Sequence, residues 1–388
     1  MARTVPIALV FSFSLAYCRG VLRGISRCAA DHPEWTLVTV APGAALAHSL
    51  AASAPRGIIA HIYDEQIAHA VAATRRPAIN VCGIMPQLPF PRIGIDDLAV
   101  GALAARHFLE RGLRSFACIG HPAHGASITR EVGFRTALAR EGCGSHRYHV
   151  NPALPFDPTC TTPVLGGALT GWLRRLPRPT GIFCANDIIA SQLSEACRQL
   201  RLMVPEQLAI LGVDNDDLLC NLSRPPLSSI SLPAQEVGVQ AALHLERVLA
   251  GERGVLRTPL LLPPLEAVVR QSSDLLAIGD GVIAAFCRFV RDNAHRALSV
   301  DEAVRAVGLG RRTLERRFRA ALGRGLADEI RRCHVERAKG MLADRRLAIA
   351  AVATRSGFTS AKHFSTAFRA ATGMSPGAYR RGSTGSVR

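Results

Sequence analysis

Four polar residues stand at points where apolar runs stop. Cys184-Ala185-Asn186-Asp187 and Gly212-Val213-Asp214-Asn215-Asp216 each place an amide or a carboxylate straight after a hydrophobic stretch of strand length. Arg130 opens a helical stretch, and Tyr17 follows the apolar run Val5 to Phe13. Carboxylate, amide and guanidinium groups hold sugar hydroxyls through paired hydrogen bonds, and an aromatic ring can lie under a sugar's C–H face. The ends of parallel strands are where such ligands collect. Tyr17, Arg130, Asn186 and Asp214 are therefore candidate ligand-binding residues. Each has a structural alternative: Asn186 with Asp187 as turn formers, Asp214 as a helix cap, Arg130 as a surface ion pair, Tyr17 as core. Asp64 and Asp97 are weaker candidates, since both can cap helices. No G-x-G-x-x-G follows the first strand and no Walker lysine occurs, which disfavours nucleotide-binding enzymes.

A second group of residues suits a larger partner. Ile349 to Arg381 reads IAAVATRSGFTSAKHFSTAFRAATGMSPGAYRR. Ile349, Val352 and Ala353 recur at helical spacing, Gly357 interrupts, and Phe364 and Phe368 recur at i,i+4. That spacing predicts a helix-turn-helix, with Gly357 at φ > 0 in the turn and Ser360 capping the second helix. Ser375-Pro376 closes the segment, proline being acceptable at a first helical position. Lys362, His363 and Thr366 are left without a core duty. From Gly279 onward there are 22 Lys and Arg against 9 Asp and Glu, so this segment carries +13 of the chain's +17. Positive charge concentrated on a helix-turn-helix is the electrostatic footprint of DNA binding.

Ala353, Gly357, Phe358, Ser360, Phe364, Phe368, Arg369, Gly373, Ser375, Pro376, Tyr379 and Arg380 fall into the pattern A-x-x-x-G-F-x-S-x-x-x-F-x-x-x-F-R-x-x-x-G-x-S-P-x-x-Y-R. This segment closely resembles the AraC/XylS family of transcription regulators. The resemblance implies an upstream copy joined by a long helix. Leu298 to Gly325 supplies it: Val300, Ala303, Val304 and Val307 form one face, Gly308 turns, and Leu314 and Phe318 anchor a second helix. Leu326, Ile330, Cys333, Arg337, Ala338, Met341 and Leu342 trace the linking helix. Gly310 stands where the family usually has a serine cap, a loss of tenths of a kcal/mol. The recognition helices are expected at Gly310–Ala321 and Ser360–Ala370, entering successive major-groove segments about 34 Å apart. Arg312, Glu315 and Arg316 on the first and Lys362, His363 and Thr366 on the second are expected to read base edges, with Arg317 and Arg319 placed for phosphates.

Upstream of residue 274 the chain alternates strand and helix. Strands are expected at Val5–Phe13, Thr36–Val40, Gly57–Ile62, Ala78–Val81, Ser115–Ile119, Gly181–Cys184 and Leu208–Val213. Helices are expected at Arg19–Ala30, Glu65–Ala73, Asp97–Arg111, Thr129–Arg140, Pro163–Leu176, Ile188–Leu200 and Gln235–Leu249. Apolar strands alternating with helices imply doubly wound parallel sheets. A chain of 388 residues, 48% hydrophobic, has ample core for two or three domains and is not a disordered chain. Its eleven cysteines show no C-x-x-C and no zinc spacing. They are expected as reduced thiols in cytoplasm, with no metal and no cofactor. No run reaches the ~18 apolar residues of a membrane span. Arg3, the apolar stretch to Tyr17 and then Cys18 imitate a lipoprotein signal. Tyr17 argues against it, because the residue before the cut should be small.

Arg130-Glu131-Val132-Gly133-Phe134, Cys184-Ala185-Asn186-Asp187 and Gly212-Val213-Asp214 resemble the R-x-x-G-F, C-A-N-D and G-x-D segments of LacI/GalR-type sensors. The resemblance implies a two-lobed, periplasmic-binding-like α/β fold over residues 1–274, a linker at 275–284, and an all-α AraC-type domain over 285–388 with helix-turn-helix units at about 298–322 and 347–371. A sensor of this type fused to an AraC-type domain resembles the regulators of pentose catabolism. It implies a non-enzymatic, cytoplasmic, DNA-binding activator, controlled by D-xylose or another monosaccharide, acting as a homodimer and engaging RNA polymerase. A sugar receptor without DNA regulation would leave the basic C-terminal domain unexplained. An alkyl-accepting repair enzyme would need a Pro-Cys-His-Arg-like setting or a zinc tetrad, and the sequence has neither.

Overall fold

The computed structural model describes residues 4–151, 153, 165–252, 258–274, 281–342 and 347–382. The chain divides into two compact units, Met1–Leu275 and Leu276–Arg388, each with its own hydrophobic core.

The first unit is built from two lobes. In lobe 1, β1 (Val5–Val10), β2 (Trp35–Val40), β3 (Gly57–Ala60) and β4 (Ala78–Asn80) form a parallel sheet in the order β2-β1-β3-β4. Helices α1 (Ala16–Ala29), α2 (Leu46–Ser53) and α3 (Glu65–Ala73) connect them. Ile7, Ala8 and Val10 are fully buried, so both faces of β1 are covered; this is why the run reads as continuously apolar rather than alternating. The strand stops at Val10 rather than Phe13, and α1 begins at Ala16, three residues earlier than the periodicity suggested.

The chain crosses to lobe 2 through β5 (Ile93–Ile95). There, α4 (Asp97–Leu109), β6 (Phe116–Gly120), α5 (Gly125–Arg140), β7 (His146–His149), α6 (Ala168–Arg175), β8 (Thr180–Cys184), α7 (Asp187–Gln199), β9 (Leu208–Val213), α8 (Asp217–Leu222) and β10 (Ser228–Ile230) follow. It returns to lobe 1 for α9 (Ala234–Leu249), which packs along α1. It crosses again through β11 (Leu260–Leu262), paired with β5, and ends in lobe 2 at β12 (Ala267–Val268). The second sheet has the order β12-β10-β9-β8-β6-β7 and is parallel except for β12, which runs antiparallel to β10. The expected helix from Pro163 begins among residues outside the described set; its described part is α6. The pattern missed the eight-residue helix α2 and several shorter elements of this unit: α8 has six residues, β7 four, β5, β10 and β11 three each and β12 two. The shortest of these carry no readable period.

The second unit is all helical: α10 (Gly281–Asp292), α11 (Val300–Ala306), α12 (Arg311–Leu322), α13 (Leu326–Leu342), α14 (Ile349–Arg355), α15 (Ala361–Thr372) and α16 (Pro376–Gly382). Because α10 starts at Gly281, the last four residues of the expected linker are helix. Helix α13 serves both halves. Ile330 and Cys333 join the core around Phe286, Leu314 and Phe318, while Val335, Ala338 and Leu342 join the core around Val352, Phe364 and Phe368. Arg337, counted from sequence among the residues that trace the linking helix, is exposed and donates to the Arg355 carbonyl at the end of α14. Gly308 and Gly357 turn at φ +66° and +80°, conformations that cost L-residues with a Cβ. Among the described residues no helix is long and apolar enough to cross a membrane.

Candidate effector cavity and DNA-reading helices

A cavity of ≈ 150 Å³ opens between the lobes, and all four candidate effector residues line it. Lobe 1 contributes Tyr17 from the first turn of α1. Its hydroxyl donates to the Val81 carbonyl at 2.8 Å, which fixes the ring, and burial keeps the phenol neutral by raising its pKa well above the usual value. Lobe 2 contributes Arg130, Asn186 and Asp214.

Arg130 does not open its helix; α5 begins at Gly125, so Arg130 lies in its second turn. Nor is it a surface group. It is 9% exposed, its Nε donates to Asp97 Oδ1 at 2.7 Å and its Nη1 to the Ala185 carbonyl at 2.6 Å. Burial raises Asp97 above the usual carboxylate value against the pull of Arg130, and it also opposes the guanidinium charge, which Asp97 and Asp214 sustain. At 2.7 Å the contact has the geometry of a charge-assisted hydrogen bond, and we read it as an ion pair. Asp96, not Asp97, caps α4, and Asp64 caps α3.

Asn186 has a double role. Its Oδ1 accepts from the Ile189 amide as the N-cap of α7, so the NH₂ end of the side chain is what remains for a ligand. Asp214 follows β9 with φ +105°, and Asn215 has φ +50°; two left-handed non-glycine residues in a row mark a strained turn. That turn is over-determined. The Asp214 amide donates to Ile230 O at 3.0 Å, the Asn215 amide to Ser229 Oγ at 2.9 Å, and Arg270 Nη2 to Asn215 Oδ1 at 2.8 Å. Helix α8 is capped by Asp216, not Asp214. The Asp214 carboxylate itself meets no hydrogen-bond donor among the described residues. Burial pushes its pKa up, with Arg130 pulling it down and Asp216 and Asp97 adding to the rise. Asp187, also raised by burial and by Asp214, accepts on Oδ2 from the Asp216 amide at 2.8 Å and from the Cys220 thiol, while its buried Oδ1 meets no donor among the described residues.

Three histidines in the lining escaped the sequence reading. His61 follows β3 and His121 follows β6, the same strand-end signal that marked Asn186 and Asp214; His124 precedes α5. Burial lowers His61 to about 4, and burial with the neighbouring His121 lowers His124 to about 4, so both are neutral near pH 7. The His121 and His124 rings stack at 3.5 Å. Among the described residues no group of three or more His, Cys, Asp or Glu could hold a metal ion.

In the second unit, α12 buries Leu314 and Phe318 and exposes Arg312, Glu315, Arg316 and Arg319. Glu315 is not disengaged: Arg311 donates to it at 2.9 Å and to Asp301 of α11 at 2.7 Å. Helix α15 buries Phe364 and Phe368 and exposes Lys362, His363 and Thr366. Ser360 Oγ accepts from the His363 amide at 3.2 Å, and Thr366 Oγ1 donates back to the Lys362 carbonyl at 3.1 Å. Arg369, exposed on the same helix, was named from sequence only as part of the motif.

A two-lobed, ligand-sized cleft and a basic double helix-turn-helix on one chain define a ligand-sensing transcription regulator. Comparison with known proteins agrees. Residues 105–273 match the family described as periplasmic binding protein-like domain, and residues 303–382 the helix-turn-helix domain family. The xylose operon regulatory protein of Escherichia coli K12 is 30% identical over 382 residues, covering 96% of each chain, and that of Haemophilus influenzae is 28% identical over 387 residues. The chain belongs to the family of xylose operon regulatory proteins. A solved structure of the xylose-binding transcription activator xylR matches with a TM-score of 0.77 and 29% identity, over 98% of this chain and 99% of that one. The cellobiose complex of the regulator CelR, at 21% identity and a TM-score of 0.56, covers 70% of this chain and 86% of that one and shares the fold.

Proposed function

We propose that the chain is a pentose-responsive activator that binds D-xylose between its lobes and operator DNA through α12 and α15. The observation that carries the effector half is Asp214, a carboxylate facing a small cavity with no donor of its own, beside Arg130 and the Asn186 amide. A carboxylate facing the cavity without a donor is completed by a ligand hydroxyl that supplies one. A cavity of this size suits a small ligand such as a monosaccharide. The relatives named for xylose support the pentose. Tyr17 is assigned the stacking platform.

On the DNA side, Arg312, Arg316 and Arg319 lie at i, i+4 and i+7 on α12, one exposed stripe, matched by Lys362, His363 and Thr366 on α15. Glu315 reads a base only if it leaves Arg311. The sensing domain is assigned to 1–274 and the DNA-binding domain to 285–388. A homodimer places two such domains on one operator, and an activator engages RNA polymerase; both require the cytoplasm.

Calorimetry of the full chain against D-xylose, L-arabinose, D-ribose and D-glucose, with operator binding measured with and without each sugar, tests this reading. D-Xylose is expected to bind and to raise operator affinity by about 1–3 kcal/mol, and Asp214→Ala to abolish that gain while sparing ligand-free DNA binding. If no monosaccharide binds, the effector assignment is wrong. If one binds without changing operator affinity, the control assignment is wrong.

A further inference from the structure

Among the contacts between the lobes, two lie at the wall of the cavity. Arg19, on α1 of lobe 1, donates Nη1 to the Phe13 and Ser14 carbonyls at 2.9 and 2.6 Å, and its Nη2 reaches Asp216 Oδ2 of lobe 2 at 3.5 Å. Asp216 is 7% exposed. Its Oδ1 caps α8 through the Leu218 amide at 3.0 Å, and its own amide donates to Asp187 in the cavity wall at 2.8 Å. At the second point the amide of Gly125, the first residue of α5 in lobe 2, donates to the Ile84 carbonyl of lobe 1 at 2.7 Å. A Cβ on Gly125 would collide with the Pro86 ring, so the lobes meet there at backbone distance.

We propose that the Arg19–Asp216 pair is an inter-lobe latch that sets how much of the effector-free protein has a closed cleft. The proposal rests on the cavity being the effector site. Asp216 stands among carboxylates: Asp187 is bonded to its amide, and Asp214 is two residues away and feels its charge. Arg19 is the cation that meets this group from lobe 1, and its two carbonyl bonds aim it before Asp216 arrives. A partly buried pair is screened less than a surface one. When the cleft opens, Asp216 keeps its α8 cap but loses its counter-charge, so the pair favours closure specifically. A ligand's apparent affinity scales with the fraction of protein already in the binding form, so the latch tunes effector affinity through the closed fraction.

Asp216→Asn isolates the charge, because asparagine caps a helix as well as aspartate and leaves Arg19's carbonyl bonds in place. Arg19→Ala removes the other partner, and Gly125→Ala wedges the second contact as a reference for the open state. Hydrogen exchange on the full chain without sugar reads opening at the Gly125 amide. Asp216→Asn and Arg19→Ala are each expected to speed that exchange about fivefold, toward the Gly125→Ala rate, with α12 and α15 unchanged. D-Xylose affinity should fall by a similar factor in each variant, and the double variant should lose no more than either single one. Unchanged Gly125 exchange in Asp216→Asn, or single losses that simply add, overturns the latch. An effect of Arg19→Ala without one of Asp216→Asn also overturns it, since Arg19 would then act only on the Phe13–Ser14 turn. If the wild-type protein binds no sugar, the effector reading falls, and the exchange measurement still decides the latch.

Discussion

The two helix-turn-helix units share a scaffold and differ in how it is held. Each has a glycine turn in the left-handed region and an i,i+4 apolar pair under the second helix, Leu314 with Phe318 and Phe364 with Phe368. The first unit is tied by charge. Glu329 of α13, 1% exposed, accepts from Arg324 at 2.7 Å and Arg332 at 2.7 Å, and Asp301, Arg311 and Glu315 form a chain across its outer face. The second is tied by rings. Phe358, Phe364, Phe368 and Tyr379 contact in series at 5.1, 5.5 and 5.2 Å, and His334 of α13 meets Phe358 at 5.5 Å. One fold can thus be secured by two kinds of interaction, and these respond to different stresses.

Removing a ring from the series should give the largest effect. Phe368→Ala is expected to destabilise the second unit by about 3–5 kcal/mol through lost burial and a residual cavity. Denaturant unfolding should then show a separate early transition that Glu329→Gln does not produce. A single unchanged transition would mean that α13 couples the halves too tightly for the distinction to matter.

Acid should separate the units next. Burial works against the Glu329 charge, yet Arg332 and Arg324 together hold its pKa at about 2, below its usual 4.5. A depressed carboxylate stabilises the fold above its unfolded value and loses that contribution as pH falls through the folded one. The loss runs from about pH 4.5 down to 2 and is on the order of 3 kcal/mol. His334 is lowered from 6.5 by burial, partly offset by the Arg296 carbonyl, with His363 adding to the fall. A histidine buried neutral stabilises the fold above its unfolded value, and the contribution fades as pH drops below 6.5. The ring-tied unit should therefore loosen first on acidification. Hydrogen exchange of α15 against α12 between pH 7 and 4 measures the order, and α12 opening first would reverse the comparison.

On DNA, Arg316→Ala should cost about 1–3 kcal/mol on the cognate site and relax preference at one guanine. An equal loss on random DNA would demote Arg316 to a phosphate contact. Replacing Arg312, Arg316 and Arg319 together should flatten the salt dependence by about three ion releases, against about one for Lys362→Ala.

The smallest effects belong to the caps. Ser360→Ala should cost about 1 kcal/mol, whereas Gly310→Ser should gain only a few tenths, because glycine is itself a tolerable N-cap. Thermal unfolding of the two variants checks the asymmetry.

The helical half was largely legible before any coordinates, because its information is local. The 3.6-residue period, Gly308 and Gly357 at the turns, Ser360 before α15 and Pro376 at the start of α16 all act within a few residues of themselves. The strand–helix alternation was legible for the same reason, while three-residue strands such as β5, β10 and β11 were not. Element ends in the sensor slipped where they depend on packing, as at Val10 and Gly125.

Residue types and positions along the chain therefore determined that Tyr17, Arg130, Asn186 and Asp214 could serve one ligand. Only the tertiary structure decided what each is committed to. Arg130 is locked to Asp97, Asn186 shares itself with the α7 cap, Asp216 takes the cap first considered for Asp214, and Asp214 is left with no donor. The caps are local, two to three residues away, but the partners that lock Arg130 and Asp216 come from segments 33 and 197 residues away, Asp97 and Arg19. Parallel sheets joined by crossovers bring such segments together, and no periodicity along the chain records which partner a buried polar group will meet there.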